Sequence, residues 1–78
     1  MDEKGYWLKL IFMNNIGAII KERRKEFGIT QNKLAELAGI NINTLTQIER
    51  GEGNPGVRTL EKVLGIIGME LSVKIVEL

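Results

Sequence analysis

Seventy-eight residues suffice for one small domain, and its core is marginal alone, because a chain of this size buries only about 60% of its unfolded surface. The chain has no Cys and no His, which excludes disulfides, thiolate metal sites and catalysis built on histidine. Lys and Arg number 11 against 10 for Asp and Glu, so net charge alone announces no nucleic-acid partner, and any basic surface must be local.

No apolar run reaches the roughly 18–20 residues of a membrane span. Asp2 and Glu3 stand where a secretory signal would carry its positive charge. The sequence therefore reads as cytoplasmic, with no membrane partner. Three blocks follow: an aromatic-rich leader over 1–13, helical spacing with regular breaks over 14–68, and an alternating tail over 69–78. The leader carries Tyr6, Trp7, Leu8, Leu10, Ile11 and Phe12. Three readings of it stand: a strand flanking the tail, a partner-binding segment, or residues upstream of a natural start at Met13.

Asn14 or Asn15 caps a first helix over about 15–27. Ile16, Ile19, Ile20 and Phe27 form its apolar stripe, and Gly28 stands where a helix terminates. Gly17 in the first turn costs about 1 kcal/mol against alanine, and the sequence offers no reason for it. Thr30 caps a second helix over 31–38, with Leu34, Ala35, Leu37 and Ala38 inward and Gly39 after it. Asn41 caps a third, with Leu45 and Ile48 inward and Gly51 beyond. The segment 52–56 is loop chemistry, because Pro55 disfavours helix at Asn54. A fourth helix begins near Val57, places Val57, Leu60, Val63, Leu64 and Ile67 at core spacing, and stops at Gly68 or Gly65. In the tail, Met69, Leu71, Val73 and Ile75 alternate with polar residues, the period of a half-buried strand. A lone strand needs a partner: residues 5–12, the same strand of a second copy, or another protein. The expected fold is all-α, four helices with a short C-terminal strand that pairs across a dimer.

Two short helices joined by a tight turn at Gly39 and Ile40 form a helix-turn-helix. With Leu45 and Ile48 inward, Ile42, Asn43, Thr46 and Gln47 share the uncovered face of the third helix. A mostly polar, uncharged face suits base edges. Amides bond adenine in pairs of contacts, and Thr or Ile methyls touch thymine methyl.

The string Ile29-Thr30-Gln31-Asn32-Lys33-Leu34-Ala35-Glu36-Leu37-Ala38-Gly39 and the later run Thr44 to Pro55 resemble the phage-repressor/Cro-like (XRE) helix-turn-helix regulators over about 15–68. The resemblance implies a compact helical bundle that binds inverted-repeat operators in double-stranded DNA as a homodimer. It implies base reading by Ile42, Asn43, Thr46 and Gln47, although Ile42 departs from the polar residue frequent in the family. It implies phosphate contacts by Gln31, Asn41 and Arg50, with Lys33 and Arg58 as weaker matches. It further implies a structural ion pair between Arg24 and Glu49. The tail resembles the C-terminal strand of HipB-type antitoxins, whose strands pair between two chains. That implies an autoregulatory repressor, Met69, Leu71, Val73 and Ile75 as the dimer strand, and a kinase-fold toxin as partner.

An enzyme is not expected. Ser72 is the only serine and has no evident base. Gly51, Gly53 and Gly56 fit the letters of a dinucleotide-binding loop, but they follow a helix rather than a strand. No cofactor or metal is implied.

Overall fold

The computed structural model describes residues 16–72. Within them the chain forms α1 (Ile16–Glu26), α2 (Gln31–Ala38), α3 (Ile42–Glu49) and α4 (Val57–Ile66). Among the described residues there is no strand.

Local chemistry sets the helix ends. Thr30 Oγ1 accepts the N–H of Lys33 at 3.0 Å, and Asn41 Oδ1 accepts that of Asn43 at 2.7 Å, each satisfying an amide that the helix leaves without a partner. Gly39 closes α2 at φ 69°. Its N–H reaches Glu36 O at 3.1 Å, and the next N–H, from Ile40, reaches Ala35 O at 3.0 Å. This is a Schellman motif, which requires the left-handed conformation that glycine adopts without strain. Gly28, Gly51 and Gly68 repeat it after α1, α3 and α4. Between Gly68 and Gly65 as stops for α4, the structure therefore selects Gly68.

The core takes one fully buried side chain from each helix: Ile20, Leu34, Leu45 and Val63, with Ile67 just beyond α4. Ala35 and Ala38 are buried beside them, small enough to let α2 pack against both α3 and α4. Three expected core positions lie elsewhere. Phe27, Leu37 and Val57 are exposed by 48%, 47% and 64%. Phe27 follows the last residue of α1, and the Arg23 guanidinium lies over its ring at 5.0 Å. Leu37 sits on the outer side of an eight-residue helix whose inner face is filled by Leu34, Ala35 and Ala38. Val57 is the first residue of α4, before the helix meets the core.

Arg23 also holds the far end of the bundle. Its Nε donates to the Ile67 carbonyl at 3.0 Å, joining α1 to the turn that ends α4. Beyond that turn, Met69 and Leu71 are half-buried against the chain's own core, while Glu70 and Ser72 are exposed. The alternation seen in the sequence is therefore present over 69–72, packed on the helices of the same chain. Val73 and Ile75, the leader over 1–13, and the expected cap at Asn14 or Asn15 lie outside the described residues.

Gly17 has a tertiary reason. A Cβ there would overlap the carbonyl oxygen of Ile48, so α1 and the end of α3 approach backbone to backbone. Gly65 has open space where its Cβ would be. Helix propensity alone gives each glycine-to-alanine change about 1 kcal/mol of added stability. The expected outcome by urea denaturation is a gain of about that size for Gly65→Ala. Gly17→Ala should instead lose about 1–3 kcal/mol through overpacking. A stabilised Gly17→Ala protein would refute the close approach.

Candidate nucleic-acid interface

The helix-turn-helix is held by a buried pair. Arg24 of α1 reaches Glu49 at the end of α3 through two parallel bonds, Nε to Oε2 at 2.8 Å and Nη2 to Oε1 at 3.1 Å. The side chains are 10% and 2% exposed, so the planar guanidinium and the carboxylate face each other out of water, the fork geometry that suits arginine. Arg24 Nη1 also donates to the Ile29 carbonyl at 2.9 Å, fixing the loop that feeds α2. Glu49 Oε1 accepts a third bond, from Gln31 Nε2, at 3.0 Å. Every buried side-chain nitrogen and oxygen among the described residues has a partner. One carboxylate thus ties α1, α2 and α3 together, and it fixes the angle at which α3 leaves the turn.

The outward face of α3 follows from which residues turn inward. Leu45, Ile48 and Glu49 are buried. Asn43, Gln47 and Arg50 are exposed and lie opposite them. Asn41, also exposed, has its carbonyl oxygen engaged as the cap, which leaves its amide nitrogen as donor. Thr46 is half-buried, and its hydroxyl donates to the Ile42 carbonyl at 2.9 Å, so its methyl is the group left to meet a ligand. Ile42 is half-buried and packs against the core. The structure brings Asn43 and Gln47 together on the exposed face and sets Ile42 and Thr46 at its inner edge.

The remaining residues singled out from the sequence fall around this face. Gln31, the first residue of α2, is half-buried; one of its amide hydrogens is held by Glu49 and the other remains. Lys33 is exposed, with Nζ 3.7 Å from Glu36 Oε1, a surface pair of little energetic weight. Arg58 is exposed at the start of α4. Sequence reasoning passed over Thr44. It is half-buried and lines, with Gln47, a dent closed by the loop after α3. Its position three residues before Gln47 on one helix was the available signal.

No helix among the described residues is long and apolar enough to cross a membrane. A buried ion pair joins α1 to α3, and an amide-bearing face of α3 is turned outward. The Helix-turn-helix family model matches residues 20–74, and the chain belongs to that family. It is 44% identical over 57 residues to an immunity repressor protein of Bacillus phage phi105, covering 73% of this chain and 40% of the relative. It is 40% identical over 57 residues to the HTH-type transcriptional regulator SinR of Bacillus subtilis, covering 72% of this chain and 51% of that protein. The chain thus spans about half the length, or less, of these curated relatives. Among solved structures, it is similar to a chain of a toxin-antitoxin module from Streptococcus pneumoniae. The TM-score is 0.76 at 31% identity, and the match covers 99% of this chain and 85% of the other. The phi105 protein, SinR and a further relative, PuuR of Escherichia coli, are named as a repressor and as transcriptional regulators.

Removing one partner of a buried pair leaves the other charge without compensation, at about 3–5 kcal/mol. Glu49→Ala should therefore unfold the domain or lower its melting temperature steeply in circular dichroism. Gln31→Ala should cost less, about 1.5–3 kcal/mol, the value of a single hydrogen bond to a charged group. A Glu49→Ala protein that melts like the parent would show that the pair does not hold the motif.

Proposed function

We propose that the chain is a sequence-specific DNA-binding transcriptional repressor of antitoxin type, acting as a dimer and repressing its own operon. The observation that carries this reading is the outward face of α3, with Asn43 and Gln47 side by side on a helix held by the Arg24–Glu49 pair. Amide side chains match the N6 and N7 pattern of adenine in the major groove, so Asn43 and Gln47 read bases. Ile42 and Thr46 offer apolar contact at the edge of the same face.

Arg50, Asn41, Gln31 and Lys33 are the phosphate contacts. Each has an N–H donor or a positive charge near an end of α2 or α3, which positions the protein without reading sequence. Residues 13–65 carry eight basic against six acidic groups, so the near-neutral total conceals a local basic excess. The N-terminal amides of α2 and α3 add positive potential.

The dimer reading draws on the small core and on the alternating run of Met69, Leu71, Val73 and Ile75. A strand built from these residues pairs with its copy, and the two recognition helices then sit one DNA turn apart, about 34–36 Å. The operator is accordingly an inverted repeat. Similarity to a chain of a toxin-antitoxin module supports the antitoxin assignment, with a toxin as second partner. Its kinase fold rests on the HipB-type resemblance of the tail. A protein-interaction module with weak, non-specific DNA binding is the competing reading, favoured by the net charge of +1.

Fluorescence anisotropy on DNA flanking the gene, against scrambled DNA at two salt concentrations, separates the two, with light scattering for the oligomeric state. A dimer that prefers its promoter by about 10³-fold or more, and weakens with salt by a slope near −0.9 per phosphate contacted, is the expected result. Sequence-blind binding with a flat salt response would favour the interaction module. Gln47→Ala should cost about 1–3 kcal/mol at one base position and little elsewhere. Equal weakening on every sequence would remove Gln47 from base reading.

A further inference from the structure

A groove of about 400 Å³ runs between α1 and the turn that ends α4. Ile19, Glu22, Arg23 and Glu26 form its α1 side, and Gly68 and Met69 close it from the turn. Ile19 and Met69 are half-buried, whereas Glu22 and Glu26 are exposed. Ile19 lines this groove and is not among the side chains packed on the core. Arg23 is already engaged, by the Ile67 carbonyl, by Glu26 and by the Phe27 ring. Glu22 has no ion pair with any described residue. The groove thus offers an apolar strip beside an unpaired carboxylate, and it fits an apolar segment that carries a positive charge.

Such a segment lies in the same chain, directly before Ile16. Tyr6, Trp7, Leu8, Leu10, Ile11 and Phe12 surround one cation, Lys9. Burying this run is favourable in proportion to the apolar area removed from water. Asn14 and Asn15 are residue types that tolerate a sharp reversal of the backbone. The reach is sufficient. α1 has 11 residues and is about 16 Å long. Residues 4–13 span about 15 Å as a helix and about 33 Å as extended chain, so either form runs the length of α1. Counted back from the reversal, Lys9 comes level with the middle of α1 or beyond, where Glu22 and Glu26 stand.

We propose that residues 4–13 fold back along α1 and dock in this groove of their own chain, their apolar side chains on Ile19 and Met69 and Lys9 beside Glu22. The docked segment enlarges the small core that a chain of this length buries. It leaves the outward face of α3 clear. Ile19, Glu22 and Glu26 recur at helical spacing on one face of α1, while Gly17 and Arg24, which meet α3, share the opposite face. The inference therefore stands apart from the DNA-binding reading, and neither fails with the other.

Trp7 is the chain's single tryptophan, so its fluorescence reads this segment alone. Acrylamide should quench Trp7 several-fold less in the native full chain than in urea, and dilution should not change the difference. Ile19→Asp, at a side chain outside the core, should raise quenching most of the way to the urea value while circular dichroism still shows folded helices. Glu22→Lys, at an exposed position, should raise it in part at low salt, and Lys9→Glu in the same chain should lower it again. Quenching as strong as in urea would overturn the proposal and leave the groove to another protein. Shielding lost on dilution would overturn it in favour of a second copy. Shielding that ignores Glu22→Lys and a folded Ile19→Asp, or a Glu22→Lys effect that Lys9→Glu does not reverse, would place the segment elsewhere and overturn it too.

Discussion

The Arg24–Glu49 pair is the constraint on which the rest of this small bundle depends. It joins α1 to the end of α3, and through Ile29 and Gln31 it also fixes the entry to α2. A buried ion pair contributes little net stability compared with apolar residues of the same volume. What it supplies here is geometry. A guanidinium facing a carboxylate has one good arrangement, whereas aliphatic side chains tolerate several. The pair sets α3 at one angle to α1 and α2, through bonds at three joints.

Close approach is the second constraint, and it is the reason the pair can form. Gly17 brings α1 against the carbonyls at the end of α3, which places Arg24, two turns further along α1, opposite Glu49. Ala35 and Ala38 do the same for α2. Small residues at the crossings let four short helices share a core of few large side chains. The glycines that end the helices allow tight reversals, so little of the chain is used in connections. Arg23 ties α1 to the carbonyl of Ile67, so two neighbouring arginines join one helix to the end of α3 and to the turn after α4.

The consequence for function is a division of labour along α3. Its buried side is fixed by Leu45, Ile48 and Glu49, which have no freedom to vary without disturbing the bundle. Its exposed side, with Asn43, Gln47 and Arg50, carries no such burden.

The sequence determined the four helices, the caps at Thr30 and Asn41, the stops at Gly28, Gly39 and Gly51, the helix-turn-helix, and the Arg24–Glu49 pair through its resemblance to known regulators. These features are local in origin: capping, glycine termination and apolar period act within a few residues, so a linear reading reaches them. Only the tertiary structure decided why Gly17 is glycine, because the atom that excludes a side chain there belongs to Ile48. It decided that Phe27, Leu37 and Val57 stay exposed, since period marks a face but not whether another element covers it. It turned Ile42 toward the core and the Thr46 hydroxyl onto its own helix, and it put Thr44 beside the loop at Gly53. Helical spacing gives the angle of a side chain about its axis. Which part of that circle is free depends on what the other helices and loops occupy.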